Sequence, residues 1–353
     1  MRPPPSDAGT GTPLTERLRP VAEAVGRRAG AVVAVRTANE SATWCRGFGD
    51  RTRGTPVTDR TRFELGSATK TFTALLLADL AVRGTVRLDE PLSGLVPPWA
   101  LPRGPAGGRI TLEHLATHTA GLPRLPPGLL LKAVPSWFGN PYAAYPPEEL
   151  PDSLARSRVR GEPGHHVRYS NFGVGLLGHL LAEAAATPYG ALLRARVLEP
   201  LGLTDTTDDA GTDQATGYWH GRPRRPWLIP GLPGAGVLRS SARDLLRYLW
   251  CLVDPEDGAV PGTPLRSALR EVVRPGPRAP GGPELCLVWS RRALPTRTLY
   301  FHSGGTRGFT TFVGFSTSPA VAVAALTNTS PTLRGRFIQD AYLLLRELAA
   351  PAA

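Results

Sequence analysis

Phe63-Glu64-Leu65-Gly66-Ser67-Ala68-Thr69-Lys70, followed by TFTALLLADLAVRG over residues 71–84, is the stretch from which the fold can be read. A short strand or turn runs into a strongly apolar helix expected over about 67–83, closed by Gly84. A helix apolar on nearly all sides belongs in a protein interior. Asp79 interrupts the run, which is too short for the roughly 20 apolar residues of a membrane span.

Outward from this helix the pattern changes twice. Before it, a helix is expected over about 16–28, capped by Thr15. Ala31–Val35 reads as a buried strand and Thr43–Phe48 as a second. After it, helical patches fall near 111–117, 147–156, 171–186, 188–198 and 241–253, and the Pro/Gly-dense stretches 97–108 and 121–147 read as loops or lids. Leu285–Trp289, Thr298–His302, Phe309–Phe315 and Val321–Thr327 then read as strands of an antiparallel meander, with a last helix over about 333–349. Strands at both ends and helices between them predict an α+β fold. One antiparallel sheet is flanked by the N- and C-terminal helices and carries an inserted all-α region. The expected division is a flexible N-terminus over 1–13, a discontinuous sheet domain of 14–66 and 284–353, and a mainly helical domain of 67–283.

Composition narrows the function. Gly and Pro make up 76 (39 + 37) of 353 residues without periodicity, which means many turns rather than a collagen-like chain. The net charge is +12, but the arginines are scattered, without a dense basic block or interleaved aromatics; a nucleic-acid surface is not expected, nor is a membrane partner. Three cysteines without short spacing do not suggest a disulfide framework or a thiolate metal site. The first twenty residues show no apolar signal core, so a cytoplasmic protein is expected.

Lysine occurs only as Lys70 and Lys132. Ser67-x-x-Lys70 puts a hydroxyl and an amine on one helix face. At a helix start, free N–H groups favour a developing alkoxide, and a buried, uncharged amine can take the hydroxyl proton. Arginine could not do this, since it does not deprotonate in proteins. Taken alone, the spacing also describes a capping serine and a solvent-facing lysine. Tyr169-Ser170-Asn171 precedes the apolar helix GVGLLGHLLAEA and offers a phenol for proton transfer. His302-Ser303-Gly304-Gly305 ends a predicted strand, where Gly305 and Ser67 N–H groups can face an oxyanion.

In this order, the three motifs resemble the serine β-lactamase/penicillin-binding-protein superfamily, most of all the class C β-lactamase-related group of esterases, D-amino-acid peptidases and acyltransferases. His118-Thr119-Ala120-Gly121-Leu122-Pro123 and the stretch Gly234–Leu245 resemble that group too. The resemblance covers about 14–349. It implies that Ser67 is the acylated nucleophile, Lys70 its base and Tyr169 a proton relay. It also implies that Asn171 holds Lys70 and the substrate amide, and that His302, Gly304 and Gly305 belong to the substrate and oxyanion side. No metal or organic cofactor is implied. Where β-lactamases usually carry a lysine that holds a substrate carboxylate, this sequence has His302, largely neutral near pH 7. The expectation is therefore a serine hydrolase acting through an acyl-enzyme on a small-molecule ester or amide. An acyltransferase and a non-catalytic binding protein on the same scaffold are the alternatives.

Three further patterns have bland explanations. Gly173-Val174-Gly175-Leu176-Leu177-Gly178 matches a dinucleotide fingerprint but reads as a tightly packed helix. His114 and His118 stand four apart without a third metal ligand. His165 and His166 either line the cleft or sit in a loop.

Overall fold

A computed structural model describes residues 12–26, 29–134, 139–258, 263–276, 284–332 and 335–351. The N-terminal residues 1–11, and the ends of two predicted helices at 27–28 and 333–334, lie outside the described residues.

Helix α1 spans Leu14–Glu23. Its N-cap is Pro13, and Thr15 lies inside the helix, not at its cap. Strands β1 (Ala31–Thr37) and β2 (Ser41–Arg46) follow, then the short pair β3 (Phe48–Asp50) and β4 (Thr55–Pro56). Strand β5 (Phe63–Glu64) leads through a single 3-10 turn, Gly66–Ala68, into α2 (Thr69–Val82). The chain next forms α3 (Leu112–Ala116), α4 (Leu129–Ala133), α5 (Leu150–Arg156), α6 (Asn171–Ala184) and α7 (Tyr189–Leu193). Helix α4 sits inside the stretch expected to be loop. A hairpin, β6 (Gly217–Trp219) and β7 (Arg222–Arg224), precedes β8 (Arg239–Ser240), which pairs with β5. Helices α8 (Ala242–Val253), α9 (Pro255–Gly258) and α10 (Pro264–Glu271) complete the middle. The C-terminal part holds β9 (Glu284–Leu285), β10 (Ser290–Leu294), β11 (Arg297–Gly305), β12 (Thr310–Thr317), β13 (Ala320–Thr327) and α11 (Arg336–Leu348).

Seven strands form the α+β sheet in the order β2-β1-β13-β12-β11-β10-β9, with neighbours antiparallel. Strand β1 is apolar on both faces because both are covered. Val33 and Val35 pack with α1 and α11, whereas Val32 and Ala34 turn toward the larger core around α2 and α8. Helix α8, drawn from the middle of the chain, packs directly against β1, β12 and β13.

The run Leu285–Trp289 is buried as its composition demands, yet it is not the predicted strand. After the two-residue β9 it turns: Cys286 N bonds Trp289 O, and Val288 takes φ +68°. The extended segment is instead the polar Ser-Arg-Arg-Ala-Leu of β10, whose Arg292 and Ala293 are exposed. Apolar content reported burial here, and burial does not require an extended backbone.

Candidate active site

Ser67 lies in the 3-10 turn at the head of α2, and Lys70 in the first turn that follows. Their spacing brings Lys70 Nζ to 2.9 Å from Ser67 Oγ. Nζ also donates to the Ala235 carbonyl at 2.7 Å. That carbonyl belongs to a turn, Pro233–Ala235, wedged between α2 and α6. Thr73 Oγ1 donates to Gly234 O at 2.8 Å, and a Cβ on Gly178 would stand 3.0 Å from Gly234 Cα. The 173–178 glycines are thus a close-packing surface of α6, with Gly175 pressed on Leu232. Lys70 is 0% exposed. Burial, aided by the charge of Arg124, holds its pKa below the ordinary lysine value, while Tyr169 opposes the shift.

Tyr169 arrives from the segment that starts α6, with its hydroxyl 2.7 Å from Ser67 Oγ. Two contacts fix that segment. Ser170 Oγ accepts from Gly173 N at 2.8 Å, capping α6, and donates to Pro123 O at 2.6 Å. His118 Nδ1 accepts from Ser170 N at 3.3 Å, and the His118 ring lies 4.6 Å from the Tyr169 ring. His118 sits beyond α3 with φ +58°, so it faces Tyr169 rather than His114, which caps α3 through Thr111. Residues 118–123 therefore support the tyrosine. His165 and His166 are exposed.

The end of β11 closes the other side. A Cβ on Gly304 would fall 2.0 Å from Leu65 O and 3.0 Å from Ser67 N; one on Gly66, itself at φ +49°, would fall 2.6 Å from Gly305 O. Only glycines let these two backbones touch, and the contact sets Gly304–Gly305 beside Ser67. His302 is buried next to them. Burial, then the Lys70 charge, pushes its pKa down to about 3, and His118 is pushed to about 3 chiefly by burial. Both rings are neutral at pH 7.

Asn171 departs from the expected arrangement. Its Nδ2 donates to Tyr142 OH at 2.8 Å, and its Oδ1 is buried without a hydrogen-bond partner among the described residues. Lys70 is held by Ser67 and Ala235, not by this amide. Residues Ser67, Tyr169, His302, Gly304 and Gly305 line one cavity of about 550 Å³, together with Arg124, which sequence reasoning passed over. Arg124 lies over the Tyr169 ring at 5.4 Å. Its signal was its place directly after the 118–123 stretch.

A sequence model described as Beta-lactamase matches residues 18–347. The chain belongs to the Beta-lactamase family. It is 36% identical over 151 residues to the D-alanyl-D-alanine-carboxypeptidase/endopeptidase AmpH of Escherichia coli K12, across 42% of this chain and 37% of that protein. It is 32% identical over 225 residues to a Beta-lactamase of Providencia stuartii, across 62% of this chain and 54% of that protein. These matches thus span about a third to a half of the curated relatives' length. Among solved structures, a Beta-Lactamase/D-Alanine Carboxypeptidase from Pseudomonas syringae superposes with a TM-score of 0.80 at 24% identity, covering 95% of this chain and 98% of that one. A class C beta lactamase from Rhodobacter sphaeroides gives 0.79 at 26%, covering 95% and 99%. The fold is that of this family. Among the described residues no helix is long and apolar enough to cross a membrane.

Proposed function

We propose that this Beta-lactamase family member is a serine hydrolase that works through an acyl-enzyme on a small-molecule ester or amide. Ser67 Oγ attacks the substrate carbonyl while its proton passes to Lys70 Nζ, directly or through Tyr169. The N–H groups of Ser67 and Gly305 face the oxyanion. The leaving group departs with a proton returned through Tyr169. Water then attacks the acyl ester, releasing the acid and restoring the Ser67 hydroxyl. The observation that carries this reading is the pair of contacts on one hydroxyl, 2.9 Å to a fully buried amine and 2.7 Å to a phenol.

His302 is uncharged at neutral pH, at the position where the family resemblance implies a lysine. This favours esters and amides whose recognition does not depend on a cation at that position. Intact-protein mass spectrometry after exposure to a fluorophosphonate and to activated esters is the test. One adduct per chain should form on the wild type and none on Ser67→Ala; equal labelling of the variant would reject Ser67 as nucleophile. Adding amines to the ester reaction separates water from other acceptors by product mass.

A further inference from the structure

A second cavity, of about 490 Å³, has walls that include Arg224, Arg225, Arg307, Trp227 and Glu64. It shares its supporting segments with the site. Glu64 shortly precedes Ser67 and Arg307 shortly follows Gly305, while Trp227 packs on Tyr142, the partner of Asn171, at 5.8 Å between rings. Two of its arginines converge on one indole: Arg224 and Arg307 stand over Trp219 at 4.5 Å and 4.9 Å. Such stacking is attractive, but it also gathers like charges.

Among the described residues, no carboxylate lies within ion-pair distance of Arg224 or Arg307. Arg224 Nε is buried without a hydrogen-bond partner among them. Burial and the neighbouring Arg224 charge hold the Arg307 pKa below its usual value, and no acid opposes them. Among the described residues the one carboxylate in the cavity wall, Glu64, is already occupied, accepting from Trp227 N, Gln214 Nε2 and Thr306 Oγ1. Pro223 and Pro226 bracket Arg224 and Arg225, which limits the backbone freedom that binding would have to remove. Planar guanidinium groups held open in this way match the geometry of carboxylate and phosphate.

We propose that the Arg224–Arg307 pair, backed by Trp219, is a binding site for an anionic group, carboxylate or phosphate, on the acyl portion of the substrate. This assignment rests on the hydrolase reading for its role in turnover, but not for the binding itself. The deciding experiment therefore has two arms. In the first, adipate is titrated calorimetrically into the Ser67→Ala protein, with the corresponding uncharged diol as control. Adipate should bind, the diol should not, and R224Q/R307Q in the same background should weaken binding by about ten-fold or more. Raising the salt concentration should weaken it too, a result that needs no arginine variant to fold. Equal binding by both proteins, no adipate binding, or affinity insensitive to salt would each overturn the proposal.

In the second arm, the mono-p-nitrophenyl ester of adipic acid is compared with p-nitrophenyl hexanoate. The wild type should favour the charged ester, and the ratio of the two kcat/KM values should fall by about ten-fold in R224Q/R307Q. An unchanged ratio would overturn the substrate role. If neither ester is hydrolysed but adipate binds as described, the hydrolase reading fails while the anion site stands.

Discussion

Glu64 and Lys70 flank Ser67, both buried, and the structure treats them in opposite ways. Glu64 receives three hydrogen bonds, from Trp227 N at 2.6 Å, Gln214 Nε2 at 3.2 Å and Thr306 Oγ1 at 2.7 Å. It also faces Arg239, 1% exposed, whose guanidinium reaches Gln214 Oε1 at 2.9 Å and the carbonyls of Val237, Asp208 and Trp227. Lys70 has two oxygen partners and a cation, Arg124, nearby. Around it, His118 Nε2, His302 Nδ1 and Asn171 Oδ1 are buried with no hydrogen-bond partners among the described residues. Both groups are removed from water, and burial raises the Glu64 pKa as it lowers that of Lys70, but only Glu64 is ringed by three hydrogen-bond donors. The ringed carboxylate joins β5, β8 and the 214–227 segment. The other keeps unspent hydrogen-bonding capacity where a substrate can use it.

The largest effects come from exchanging these fates. Lys70→Met should lower kcat by about 10²–10⁴-fold, the usual contribution of a proton-transfer group. Its melting temperature should hold or rise, because a buried amine without an anion opposes folding. Arg239→Leu should do the reverse. It strips Gln214 Oε1 and the carbonyls of Val237, Asp208 and Trp227 of their donor, removes a cation near Glu64, and should lower stability by about 1–3 kcal/mol in urea titrations. The folded fraction should still acylate at Ser67. If Lys70→Met unfolds the protein while Arg239→Leu affects only turnover, the contrast is wrong.

The two regions were not equally legible. Ser67, Lys70 and the apolar run after them sit within one short stretch, so helical spacing puts amine and hydroxyl on one face and the apolar run argues that this face is buried. Tyr169 and Gly305 entered through motifs, and each lies beside Ser67. The Glu64–Arg239 joint was not read, because its partners come from segments far apart in the chain and no local period marks them. Asn171 was misplaced for a related reason. A motif specifies the residue, but Tyr142, which takes its amide, comes from a Pro/Gly-rich stretch with no readable pattern. Strand β10 was missed because its side chains alternate without an apolar face, while the apolar 285–289 run drew the strand assignment.

A second, smaller effect separates the regions by pH. His118 and His302 titrate near 3 in the folded protein against about 6.5 when exposed. Between those values the unfolded chain binds more protons, so stability is fully present above about pH 6.5 and is lost as pH falls toward 3. His302→Asn, which does not titrate, should flatten that slope in urea titrations at stepped pH. Lys70 runs in the same sense at higher pH. Its lowered pKa makes the neutral, base-competent amine available below the usual 10.5, so kcat should rise with pH through the folded value.

The smallest effect tests whether compensation and reactivity can meet at one residue. Ser170 stands between Tyr169 and Asn171, yet its hydroxyl is fully employed, accepting from Gly173 N at 2.8 Å and donating to Pro123 O at 2.6 Å. Ser170→Ala removes the α6 cap, worth about 0.5–2 kcal/mol, and one of the hydrogen bonds that tie the 118–123 segment to the segment carrying Tyr169. Stability should fall by that amount in urea titrations. Because the phenol remains tied to Ser67 and stacked by His118, kcat for an activated ester should fall less than for Lys70→Met. A loss of turnover as large as that of Lys70→Met, at unchanged stability, would place Ser170 among the proton-moving groups and erase the distinction between a satisfied joint and a reactive site.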